Sequence, residues 1–152
     1  MRIVAILSTA CLTAYATTAV AQEPAAKPMG AMQHAAGMKL ADVAGTWSME
    51  NTVKTAAGKD TVVTSELVAT ADEKGWVTNL AGRPPIPTRV VAMGGDSVVT
   101  EAGPFQSVVR AGQTVTTRET LHLKGGALSG WIEAHYSNGD VVKGATMGTR
   151  KK

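Results

Sequence analysis

Met29, Met32, His34 and Met38 place three thioethers and an imidazole within ten residues, a donor set soft enough to hold monovalent copper or silver. The same run also has the composition of a low-complexity linker in an exported chain, which is the plainer reading. A second set of polar residues is dispersed along the chain. Glu119 shares a strand face with Val115, Thr117, Leu121 and Leu123, so it is expected to point inward. A buried carboxylate has to be paired or protonated, and Arg89, on a face with Val91 and Met93, is a candidate partner, the alternative being a strand end where both reach water. Together with Asn51, these residues form the candidate ligand-binding set: Asn51, Thr117, Glu119 and Arg89, polar groups able to orient a guest among apolar walls.

Glu133 and His135 also share a face, but they alternate with Ile132 and Tyr136, which places them outward. Acid–base chemistry would further need a nucleophile or a held substrate within reach, and neither the pair nor His122 supplies one. No catalytic constellation or phosphate loop stands out in the sequence. The expectation is a non-enzymatic protein that needs no cofactor.

The elements that must position these residues are strands. From Gly45 onward the chain is a succession of short alternating segments cut apart by glycine-bearing turns, without a helix-length apolar stripe. Strands are expected over residues 45–53, 61–70, 76–80, 88–93, 96–101, 105–110, 113–123, 128–136 and 141–149. Asn138-Gly139 is the strongest hairpin signal among the turns. Residues 81–87 carry three prolines and are expected to form the largest loop, because proline cannot donate to a central ladder. This loop could also be offered to a partner as a polyproline segment, although a stiff cover over one barrel mouth explains the same prolines more simply.

Burying one face of about eight such strands leads to an all-β fold, an antiparallel up-and-down β-barrel preceded by a flexible N-terminal arm. The expected core is Trp47, Met49, Val63, Leu67, Val91, Val99, Phe105, Val109, Val115, Leu121, Leu123, Leu128, Ile132 and Met147. With so few aromatics, the centre could stay partly unfilled.

Residues 1–21 read as a signal peptide: Arg2, an apolar stretch, and Ala19-Val20-Ala21 as a cleavage site. Residues 22–39 are the arm, and residues 40–152 the barrel domain. The single cysteine, Cys11, falls within the signal segment, and Ser8-Thr9-Ala10 before it lacks the leucine of a lipidation site. The mature domain is thus expected to be periplasmic or extracellular, free of disulfides and without stable membrane insertion. Cleavage would leave 14 basic against 12 acidic side chains with no long run of either sign, which argues against nucleic acid as a partner.

The pattern resembles the lipocalin-like, or calycin, barrels. Gly45-Thr46-Trp47 looks like their G-x-W opening, and Arg150 stands on the last strand, where such barrels pack a charge across the tryptophan. The resemblance implies a structural plug of Trp47 and Arg150 at one barrel end and a small apolar or amphipathic ligand inside. Two other functions fit the sequence: a protein–protein module such as a secreted-protease inhibitor, and soft-metal binding through Met29, Met32, His34 and Met38. A void of several hundred cubic ångströms would favour a carrier, and a filled core an interaction module.

Overall fold

Each strand turns one row of side chains inward, and the connections between strands are short, so consecutive strands pair as antiparallel neighbours. The computed structural model describes residues 37–152. A single helical turn, α1 (Leu40–Val43), precedes eight strands: β1 (Gly45–Lys54), β2 (Asp60–Ala69), β3 (Trp76–Asn79), β4 (Ile86–Gly94), β5 (Ser97–Gln106), β6 (Thr114–Lys124), β7 (Ala127–Tyr136) and β8 (Val141–Arg150). β8 pairs back with β1, from Trp47 opposite Arg150 to Thr52 opposite Ala145, and closes an up-and-down barrel. Closure leaves no edge strand, although the short β3 pairs only with Glu66–Val68 of β2 and Ile86–Thr88 of β4. The signal segment and almost all of the arm lie outside the described residues.

The boundaries differ from expectation chiefly in β4 and β5, and residues 107–110, expected in a strand, belong to the loop after β5. Pro87 stands inside β4 opposite Val77, whereas the pairing of β4 with β5 begins one residue later, at Thr88 opposite Ala102. The proline is therefore laddered on one side only, where its missing N–H is tolerated. Gly103-Pro104, expected to separate two strands, lies within β5 as a bulge between Ala102 and Phe105. The extra residue reverses the alternation, so Val98, Thr100 and Ala102 face inward before it and Phe105 and Ser107 after it.

The same logic corrects part of the expected core. Val98 is fully buried in place of Val99, and in β4 the inward row is Ile86, Thr88 and Val90, with a register shift at Val91. Adjacent valines give no alternation from which to choose a face. Met147 is 63 % exposed, because β8 turns a row of small residues inward, Gly144, Thr146 and Gly148. A Cβ on Gly148 would lie 2.6 Å from the sulfur of Met49, so the space a side chain would need there is already taken. A Cβ on Gly144 would come within 2.1 Å of the Thr52 carbonyl oxygen, the close backbone approach of a sharply coiled strand.

One end of the barrel is filled. Val43, Trp47, Met49, Leu67, Trp76 and Leu128 form a buried cluster, with Met38 packed against its edge. Trp47 donates its indole N–H to the Val43 carbonyl at 2.8 Å, and Trp76 donates to Asp72 at the same distance. α1 is short but capped: the Lys39 N–H donates to the Asp42 carboxylate at 2.8 Å. Asp42 thus acts from the third helical position, its carboxylate reaching back to the backbone of the N-cap. The Arg150 guanidinium lies 4.2 Å from the centre of the Trp47 ring and donates to the carbonyls of Asp42 and Ala44. Gly45 is required beside it. Its φ is 136°, and a Cβ there would stand 2.5 Å from Arg150 Nη1.

A candidate ligand site at the open end

The opposite end is built from the turns after β1 and β7 and the loops after β3 and β5. Below them the inward rows become polar. Asn51 projects from β1 and Glu119 from β6, strands that are not neighbours, and their side chains meet across the lumen with Asn51 Nδ2 donating to Glu119 Oε1 at 3.3 Å. Above this contact is a cavity of about 50 Å³, walled by Val53, Val115, Ile132 and Ala134, with Thr117 on the Glu119 wall. A groove of about 360 Å³ continues from it between β2 and the loop after β5, the two sharing Val63, Leu80, Val108 and Val109. The enclosed part is smaller than the several hundred cubic ångströms that would make a capacious carrier.

The electrostatics follow from the walls. Burial in this apolar surround pushes the Glu119 carboxyl up to about 7, while the Asn51 amide pulls it the other way to a smaller extent. Near neutral pH the group is therefore divided between its acid and its carboxylate, able to donate or to accept. No lysine, arginine or histidine lines the cavity among the described residues. Asn51 is 6 % exposed and its Oδ1 has no partner; Thr146, opposite it on β8, has its hydroxyl buried and unpartnered as well. By contrast, the inward hydroxyls of Thr78 and Thr88 meet at 2.9 Å. An orphan acceptor at the floor of an apolar cavity is a place where a guest's donor would gain a full hydrogen bond.

The mouth is held by a second cation stack. Arg110 lies 4.4 Å from the centre of the Tyr136 ring and pairs with Asp140 at 2.5 Å. Ser107 Oγ accepts the N–H groups of Val109 (3.1 Å) and Arg110 (2.9 Å), which folds the loop over the cavity. Hydrogen bonds from Asn138 and Arg110 hold the Asp140 carboxyl below its ordinary value.

Of the expected ligand-binding set, the structure brings Asn51, Thr117 and Glu119 to one cavity and leaves Arg89 out of it. Arg89 faces solvent opposite Glu101 and pairs with that carboxylate at 2.5 Å. The internal Arg89–Glu119 pair does not form, because the inward row of β4 is the one carrying Thr88 and Val90. Glu133 is engaged by Lys143 at 2.7 Å on the outer face, with His135 at 3.6 Å. Met38 packs on the closed-end cluster, while Met29, Met32 and His34 lie outside the described residues. Sequence reasoning did not single out Arg110, Tyr136 or Ser107. The aromatic at the end of a strand and the serine opening a glycine-bearing loop were the available signals. The chain matches no family model, no curated protein and no solved structure in comparisons with known proteins.

Proposed function

We propose that the protein is an exported, non-enzymatic carrier of a small apolar or amphipathic molecule, held at the open end of a calycin-type barrel. The observation carrying this reading is the asymmetry of the interior: tryptophan and methionine fill one end, while the other keeps a cavity with an unpartnered Asn51 oxygen at its floor. Encapsulation follows from the walls. Valine, isoleucine and alanine supply the burial, and Asn51, Thr117 and Glu119 fix the orientation of the guest's polar end. The seat of Arg150 over Trp47, beside Gly45, favours the calycin relationship. Export rests on the signal-like residues 1–21 and is tested separately, by N-terminal sequencing of the secreted product, expected to begin at Gln22.

The carrier reading is tested with an environment-sensitive apolar dye and by native mass spectrometry of the purified domain. Saturable dye fluorescence that Val115→Trp abolishes by filling the cavity, or a co-purified organic mass, is the expected result. Fluorescence unchanged by filling the cavity would mean that the dye sits elsewhere and would remove the reading.

A further inference from the structure

We infer that the cavity selects guests with a primary amine head, the nitrogen seated between Asn51 Oδ1 and the Glu119 carboxylate and the apolar tail leaving along the groove after β5. This inference rests on the carrier reading and specifies its ligand class. Asn51 spends its amide N–H on Glu119 and keeps its carbonyl oxygen buried and unpartnered. Glu119 receives that single side-chain hydrogen bond and has no cationic partner. Both groups are therefore short of donors. Thr117, two residues before Glu119 on the same strand face, adds a hydroxyl oxygen nearby. An ammonium group has three donors and no acceptor, and complements this set. An alcohol offers one donor and no charge. A carboxylate brings a second acceptor with a like charge to a group already short of donors, which is unfavourable in an apolar surround.

Size and path agree with a linear guest. The enclosed space of about 50 Å³ accommodates a head and the first methylenes, while the groove of about 360 Å³, where exposed Val62 and Val108 lie, accepts the remainder. The charged groups on the surrounding strands do not compete for the seat. Arg89 and Glu101 pair with each other outside, as do Lys143 and Glu133, while Arg110 is occupied by Asp140 over the outer side of the mouth. Tyr136 is the only other titratable side chain lining the cavity among the described residues.

The test uses n-octylamine, n-octanol and n-octanoate in calorimetric titrations of the full domain. Octylamine is expected to bind tightest, and Glu119→Gln to weaken it by at least about tenfold while changing octanol by less than about threefold. Binding of the ammonium should also ionise Glu119. At pH 7 octylamine should release about half a proton per site, read from titrations in two buffers of different ionisation enthalpy, and octanol should release none. The ligand order and the proton count are measured on the wild-type protein, so they hold whatever the stability of the variant. Octanoate binding as tightly as octylamine, or Glu119→Gln leaving octylamine affinity unchanged, would overturn the amine assignment and leave the carrier reading intact. If none of the three binds, the carrier reading itself falls.

Discussion

Both ends of the barrel stack an arginine on an aromatic ring, and the two stacks differ in what surrounds them. At the closed end Arg150 covers Trp47 and donates to two backbone carbonyls, over an interior filled by Met49, Leu67 and Trp76. At the open end Arg110 covers Tyr136 and pairs with an exposed carboxylate; its Nε stays buried without a partner, and the interior behind it is hollow. One device thus serves a floor and a rim. Where the ring is inside and fully packed, the stack belongs to the core; where it borders a cavity, it braces a loop that a guest has to pass.

The largest expected effect is at the floor. Trp47→Ala should cost about 3–5 kcal/mol in urea melts, because a large, fully buried side chain leaves a void among rigid neighbours. A loss as small as that at the rim would show that the two ends do not differ as packing predicts. Next comes the pH response of the hollow end. Glu119 holds a proton in the folded state that the unfolded chain has released between about pH 4.5 and 7. The associated stability is full below the ordinary carboxylate range and is lost as pH rises toward about 7. The loss is up to about 3 kcal/mol, less to the extent that water enters through the mouth. Melts of wild type and Glu119→Gln across this range check it: the wild type should weaken with rising pH, and the variant should lack this component.

Arg150→Ala should cost about 1–2 kcal/mol through the lost stack and the stranded carbonyls. The double variant with Trp47→Ala should lose less than the sum of the two, since the residues share their interaction energy. Additive losses would break the comparison at its firmer end. Smallest of all, Arg110→Ala should cost about 1 kcal/mol or less yet speed amide exchange of residues 107–110, a local loosening with little global effect.

The fold was largely legible because alternation and turn chemistry are local. Trp47, Met49, Leu121 and Leu128 each stand in a row with one apolar side, and all four are buried. Legibility failed where locality failed. At Val90-Val91 and Val98-Val99 both faces are apolar, and only the bulges and the closing seam decide which points inward. Arg89 was misplaced for this reason, and the Glu119 partner with it. The Asn51–Glu119 contact joins positions 68 apart on strands that share no ladder, so the two residues could be nominated separately but not paired. The rim stack was missed because it depends on how the loop after β5 folds back, which no periodicity encodes.

The seam between β1 and β8 ties the first strand to the last, from Trp47 opposite Arg150 to Thr52 opposite Ala145, and the bond from Arg150 to Asp42 of α1 spans 108 positions. A closure that joins the first strand to the last cannot form until all eight are available. Strand pairing can spread through the hairpins one after another, but the hydrophobic floor stays open to water until the arrival of β8 seats the guanidinium. The time spent as an unclosed curl, with β1 and β8 still unpaired, is then the period of greatest exposure to self-association. A permuted chain that fuses the two strands across the seam and opens instead at Asn138-Gly139 should move the last closure to β7 and β8, away from the hydrophobic floor's arginine.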